Sequence, residues 1–196
     1  FRNSGQVCVA GSRLLVERSI HEEFSEKVAK IAAGMKLGDP LRLTTEAGAI
    51  SSEIQLKKDL SYADQAVDEG ATLRSGGKRV LEETGGFYMQ PTVFDVTPDM
   101  TLAKEEVFGP VLAVLKCDSL ENAIDILNNT QYGLSSSIFT NNVNDAFTAV
   151  RDIQAGITYI NGATIGAEAH MPFGGVKATG NGHREGGWTV YDFYTE

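Results

Sequence analysis

One cysteine near the start of the chain stands in a setting that suits chemistry. Cys8 lies in Asn3-Ser4-Gly5-Gln6-Val7-Cys8-Val9-Ala10-Gly11-Ser12-Arg13 and is one of only two cysteines among 196 residues. Its neighbours are small or polar, and a strand-like run, Leu14-Leu15-Val16, follows. The thiolate is the reactive form of cysteine, and a thiol at the start of a helical turn would be favoured in that form by free N–H groups and the helix dipole. These residue types point to a covalent nucleophile. The competing role, a small buried hydrophobe, is the commoner one for a lone cysteine, and it suits Cys117 at the end of the apolar run Val111 to Lys116.

Two further stretches carry groups that could serve such a nucleophile. In Lys104-Glu105-Glu106-Val107-Phe108-Gly109-Pro110 a carboxylate pair abuts an aromatic residue and a Gly-Pro break. Adjacent carboxylates usually mark a solvated face. Projected from a break, however, one carboxylate could accept both hydroxyls of a ribose while the phenyl ring packs on a nicotinamide. The other stretch is Pro172-Phe173-Gly174-Gly175-Val176-Lys177, followed by Thr179-Gly180-Asn181-Gly182-His183-Arg184-Glu185. Its glycines match neither GxxxxGK[ST] nor GxGxxG, so they are read as permitting close packing rather than as a phosphate cradle. His21, His170 and His183 have no metal-ligand spacing with cysteine or carboxylate, and no metal site is expected.

The elements that must position these residues follow from hydrophobic period and turn chemistry. Phe24, Val28, Ile31 and Ala32 fall on one helical face. Gln55 to Asp68 reads as a long charged helix with Leu60, Ala63, Ala66 and Val67 inward. Ala71 to Arg74 is a short strand, and Phe87 to Phe94 an edge strand, because Pro91 cannot donate to a ladder. Leu102 to Val107 reads as a short helix. From Val111 to Ile160 strands and helices alternate, with Ser119 capping one helix and Val143, Ala146, Phe147, Val150 and Ile153 marking another. The fold class is therefore α/β, an open, twisted, mostly parallel sheet with helices on both faces. Asn161 to Gly187 is glycine-rich and aperiodic, the mark of a functional or closely packed loop.

Composition narrows the function classes. Hydrophobic residues make up 42% and charged residues 22%, which allows a sizeable core, and the net charge of −9 excludes a basic nucleic-acid footprint. No apolar run approaches a membrane-spanning length, so neither nucleic acid nor membrane is expected as a partner. Two cysteines make no disulfide framework, and a reducing, cytoplasmic setting is expected. The chain begins without Met inside an ordered motif and reads as a segment of a longer protein.

Taken together, the Cys8 stretch, Glu105-Glu106-Val107-Phe108-Gly109-Pro110 and Pro172-Phe173-Gly174-Gly175 resemble the aldehyde dehydrogenase superfamily in order and separation. The Gly38-Asp39-Pro40 loop, Gly76-Gly77 and Pro91-Thr92 fit the same pattern, so the resemblance covers essentially the whole chain. It implies that residues 1–196 form the nucleophile-bearing catalytic domain, with an NAD(P)-binding domain upstream and an oligomerisation strand downstream, both outside this chain. It implies Cys8 as nucleophile, with its backbone N–H as one oxyanion donor, Glu106 holding the nicotinamide ribose and Phe108 beside that ring. Gln55 and Lys58 resemble positions that reach the adenosine ribose. Val7, Val9, Ile165 and Phe173 would line or flank the aldehyde channel.

The same resemblance places the general-base glutamate and the oxyanion-hole asparagine upstream of Phe1, so this chain alone would be inactive. The cofactor would be NAD or NADP, the substrate a small-molecule aldehyde, and the full-length protein a homodimer or homotetramer. Thr164-Ile165-Gly166-Ala167-Glu168 offers no arginine or serine placed for a second carboxylate, which argues against a dedicated succinate-semialdehyde enzyme; its Gly-Ala-Glu resembles the aminoadipate-semialdehyde branch. Three alternatives stay open: a CoA-acylating member of the family, a cysteine hydrolase pairing Cys8 with His170 or His183, and a non-catalytic oligomerisation domain.

Overall fold

A computed structural model describes all 196 residues. The chain forms two compact units, Phe1–Asp118 and Ser119–Glu196. In chain order the first unit carries β1 (Arg13–Glu17), α1 (His21–Gly34), α2 (Glu53–Asp68), β2 (Thr72–Ser75), β3 (Arg79–Val80), β4 (Tyr88–Met89), β5 (Thr92–Asp95) and β6 (Val111–Cys117). The second carries α3 (Leu120–Asn128), β7 (Ser135–Ile138), α4 (Val143–Asp152), β8 (Ile157–Ile160) and α5 (Thr189–Tyr194). No helix is long and apolar enough to cross a membrane.

The first unit is built on a four-stranded sheet in the order β1-β6-β5-β2. β6 pairs in parallel with β1 and β5, and β2 closes the sheet antiparallel to β5. A parallel strand flanked on both sides must bury both faces, and so reads as an unbroken apolar run. Val111-Leu112-Ala113-Val114-Leu115 is such a run, with Val114 and Leu115 fully buried beside Val93 and Phe94 of β5. Full burial of side chains of this size contributes about 1.5–3 kcal/mol each.

Several expectations are corrected in detail. Phe87 to Phe94 is not one edge strand: β4 pairs with β3 and β5 lies inside the main sheet. Pro91 falls between them, where its missing N–H removes no ladder bond, and Thr92 N donates to Pro110 O at 2.8 Å. Leu102 to Val107 holds only a 3-10 turn, Thr101–Ala103. The inner stripe of α1 is His21, Ser25, Ala29 and Ala32, while Phe24 and Ile31 stay exposed; close approach to the sheet selects small residues over large ones. α2 turns Leu56, Asp59, Ala63 and Ala66 inward and leaves Val67 out. On α4 only Ala146 and Ala149 are buried.

The expected βαβ succession also divides. β6 belongs to the main sheet, whereas β7 and β8 form their own parallel pair with α4 as the crossover. Ser119 and Asn142 cap α3 and α4 by accepting from Asn122 N and Asn144 N. The glycine-rich loop packs as anticipated: a Cβ on Gly156 would stand 1.7 Å from Gly174 O, and one on Gly180 2.0 Å from Gly175 O.

One polar cluster ties α1 to the sheet. Arg74 Nε donates to Asp95 Oδ2 at 2.9 Å, and its Nη1 and Nη2 donate to the two Glu22 oxygens at 2.5 and 2.7 Å. Hydrogen bonding to Arg74 holds the Glu22 carboxyl below its usual range. His21 lies buried alongside, 3.7 Å from Asp95 Oδ1, and burial lowers its pKa. His21, Glu22 and Asp95 place ligand atoms within 4.8 Å of one another, a grouping that linear spacing hides, and Arg74 already binds both carboxylates. Arg74→Ala strands Asp95 with an uncompensated charge. Urea denaturation should show a loss of about 2 kcal/mol; an unchanged midpoint would assign the cluster no structural weight.

Candidate active site

The residues singled out by type come together in the first unit through backbone contacts. Cys8 is exposed in the turn Val7–Ala10, which Ala10 N closes by donating to Val7 O at 2.9 Å. A strand and not a helix follows that turn, so the thiol does not stand at a helix N-terminus. A 3-10 segment, Arg2–Gly5, precedes it, with Asn3 and Ser4 left-handed at φ 51° and 54°. Two side chains anchor the loop. Ser4 Oγ donates to Gly48 O at 2.8 Å, and Gln6 Oε1 accepts from Ser51 N at 2.9 Å. Both partners lie just before α2.

The tightest contact in the site is between two glycines. Gly5 has φ +72°, and a Cβ there would stand 2.0 Å from Gly109 O. No other residue permits this approach, which seats the cysteine loop on the turn that bears Glu106 and Phe108. On its other side Gly109 meets α2: a Cβ on Gly109 would stand 2.2 Å from Asp59 Oδ2. Gly109 is therefore held between the Gly5 backbone and the Asp59 carboxylate.

α2 also holds the carbonyls of that turn. Gln55 Nε2 donates to Val107 O at 3.0 Å, to Phe108 O at 3.3 Å and to Asp59 Oδ1 at 2.7 Å. Lys58 Nζ donates to Glu106 O at 3.4 Å. Phe108 takes the left-handed conformation, φ 62°, which costs an L-residue about 1–2 kcal/mol. With the carbonyls drawn toward α2 and Val107 buried, the Glu106 side chain and the Phe108 ring remain exposed.

The other expected residues are distributed as follows. Val7 is partly buried and Val9 buried. Ile165 and Phe173 belong to the second unit, where Phe173 N donates to Glu185 O at 2.5 Å and Phe173 O accepts from Glu185 N at 2.7 Å. Cys117 is buried at the end of β6, and burial raises its thiol pKa.

Asp59 was not foreseen. It is the only buried acidic residue in the chain, its Oδ2 has no hydrogen-bond partner, and desolvation raises its pKa to about 6 against the carboxylate-stabilising influence of Gln55 and Lys58. A signal for it exists in the sequence: Leu56, Asp59, Ala63 and Ala66 share the inward stripe of α2, where a carboxylate is out of place.

The chain matches the aldehyde dehydrogenase family over residues 1–196. Among curated relatives it is 42% identical to the α-ketoglutaric semialdehyde dehydrogenase of Bacillus subtilis, covering 100% of this chain and 41% of that one. It is 41% identical to human retinal dehydrogenase 2, covering 98% and 37%. Among solved structures, an NAD-dependent aldehyde dehydrogenase from Sinorhizobium meliloti superposes with a TM-score of 0.95 at 40% identity, over 100% of this chain and 39% of that one. An indole-3-acetaldehyde dehydrogenase complexed with NAD+ gives 0.94 at 44% identity, over 98% and 39%. The chain belongs to the aldehyde dehydrogenase family and spans about two fifths of the length of these relatives.

Burial of Asp59 makes a titration prediction. Its pKa rises on folding, from 3.8 to about 6, so its favourable contribution is complete below about pH 3.8 and lost as pH climbs through about 6. Asp59→Asn removes that loss. The stability of the variant relative to wild type should therefore grow by about 2 kcal/mol between pH 4 and pH 7, as measured by denaturation at each pH. A difference independent of pH would show that Asp59 titrates normally.

Proposed function

We propose that the chain is the nucleophile-bearing part of an NAD(P)-dependent aldehyde dehydrogenase that oxidises an aldehyde to a carboxylate, with Cys8 as the attacking thiol. The observation that carries this is the seating of the exposed Cys8 loop, through Gly5 on Gly109, against the turn that presents Glu106 and Phe108. The same reading places this chain in a longer protein, since it spans about two fifths of its relatives.

The residues of the turn fit a dinucleotide. Exposed Glu106 offers two acceptor oxygens to a pair of ribose hydroxyls, and the half-exposed Phe108 ring offers an apolar edge to a planar nicotinamide. Gln55 is committed to the turn carbonyls and to Asp59, so its contribution is to hold Glu106 and Phe108 in place; Lys58, exposed and donating to Glu106 O, is assigned to the same cofactor edge. Relatives described as NAD-dependent and as complexed with NAD+ support NAD as the cofactor. When bound, the nicotinamide supplies the two-electron acceptor.

The chemistry at Cys8 then balances in three steps. The thiolate sulfur adds to the aldehyde carbon, and the carbonyl oxygen takes the negative charge, stabilised by the Cys8 backbone N–H. That oxyanion re-forms the carbonyl as hydride leaves the same carbon, giving a thioester on Sγ. Water adds to the thioester carbon as one of its protons passes to a base, the C–S bond breaks to return the Cys8 thiolate, and the acid departs as carboxylate with loss of the second proton. Val7, partly buried next to Cys8, is assigned to the apolar approach for the aldehyde. The base that activates the water and the second oxyanion donor are assigned to the protein upstream of Phe1. Relatives named for α-ketoglutaric semialdehyde, betaine aldehyde and retinal have the aldehyde group in common, which supports aldehydes as the substrate class. Two unpaired cysteines suit a reducing cytoplasm, and a homodimer or homotetramer is the assembly we assign to the full-length protein.

In the full-length protein Cys8→Ala should abolish NAD+-dependent aldehyde oxidation, a loss of at least about 10⁴-fold in kcat, with its melting temperature close to wild type. Retained turnover would remove Cys8 from the mechanism. Glu106→Gln keeps the shape but not the charge. Steady-state kinetics should show NAD+ handling weakened by about tenfold, one charge-assisted hydrogen bond; wild-type values across NAD+ concentrations would clear Glu106 of that role.

A further inference from the structure

Three successive carbonyls of the Glu106–Phe108 turn are taken up by one face of α2. Glu106 O accepts from Lys58, and Val107 O and Phe108 O accept from Gln55. The Gln55 nitrogen also meets Asp59 Oδ1 at 2.7 Å, its shortest contact. Three acceptors facing one terminus of an amide require that terminus to be the NH₂. The strongest of the three is a charged group, and a buried one. Asp59 presses on the turn a second way, through Gly109, whose Cα hydrogen points at the carboxylate because a Cβ there would stand 2.2 Å from Oδ2. An acid with an unpartnered oxygen, away from water, is expensive. A leucine would fill similar space at less cost, so packing alone does not account for an acid here.

We propose that Asp59 is a positioning residue for the cofactor edge: it fixes the Gln55 amide, which holds the Val107 and Phe108 carbonyls and so sets the directions of Glu106 and Phe108. The proposal rests on the reading of Glu106 and Phe108 as cofactor-contacting residues. Asp59 itself, buried beneath Gly109, touches neither cofactor nor substrate. It acts by restraining a turn that includes a left-handed phenylalanine, a conformation that persists only where surroundings hold it.

The test uses the full-length enzyme and three variants. Asp59→Leu keeps volume and removes the acceptor; Asp59→Ala serves the same purpose if the leucine variant fails to fold. Asp59→Asn keeps an acceptor oxygen for Gln55. The readouts are the NAD+ dissociation constant by calorimetry, hydrogen exchange in the segment 104–110, and the separate KM values for NAD+ and aldehyde. Loss of the acceptor should weaken NAD+ binding and raise its KM by about tenfold, speed exchange in that segment, and leave the aldehyde KM unchanged. Asp59→Asn should restore NAD+ binding. A folded leucine or alanine variant with wild-type NAD+ affinity and exchange would overturn the proposal, as would an asparagine variant no better than leucine. Failure of wild type to bind NAD+, or activity surviving in Cys8→Ala, would instead overturn the cofactor and nucleophile reading itself.

Discussion

The site depends on one close approach, the backbone of Gly5 against that of Gly109. Neither position tolerates a Cβ: one on Gly5 would fall 2.0 Å from Gly109 O, and one on Gly109 would fall 2.2 Å from Asp59. The result is a stack of three layers, the cysteine loop, the Glu106–Phe108 turn and helix α2. A thiol, a carboxylate and an aromatic ring far apart in sequence are thereby referred to one rigid support. Catalysis by a covalent nucleophile needs this, because a small misplacement of the attacking atom relative to its acceptor is costly in rate.

The layers are joined by contacts of different kinds, and the difference matters. Between the loop and the turn lies the backbone approach of Gly5 to Gly109, while Ser4 and Gln6 tie the loop to Gly48 and Ser51 just before α2. Between the turn and α2 there is a polar network that ends in a buried acid. The first kind fixes distance with little chemical variation available. The second kind is tunable, since each carbonyl is held by a side chain that a single substitution can change. The sheet supplies rigidity: Gly109-Pro110 leads directly into β6, a mostly buried strand paired in parallel on both sides.

Much of this was legible in the residues. Cys8 among small neighbours, the Glu-Val-Phe-Gly-Pro break and the late glycine loop together named the family, and the Val111–Leu115 run announced a buried strand. The helix N-terminus imagined for Cys8 did not form, because β1 begins too soon after the turn. On α1 and α4 the expected faces held at Ala32 and Ala146 and failed at their larger members, for a shared reason. Hydrophobic period locates a face, but close helix–sheet packing prefers Ala29, Ala32, Ala146 and Ala149 to the larger apolar residues beside them. Pro91 signalled an edge strand only because its position between two strands of different sheets has no local signature. Asp59 was visible as a polar residue on an apolar stripe, yet its meaning required knowing which backbone lay across from it.

The central claim is that Cys8 carries the substrate during turnover. Rapid quenching of the full-length enzyme with aldehyde and NAD+, followed by peptide mass analysis, tests it directly. The account predicts an acyl adduct on the peptide bearing Cys8, formed and lost at rates compatible with turnover, and none on Cys117. Turnover without any adduct on Cys8, or an adduct confined to another residue, would contradict it.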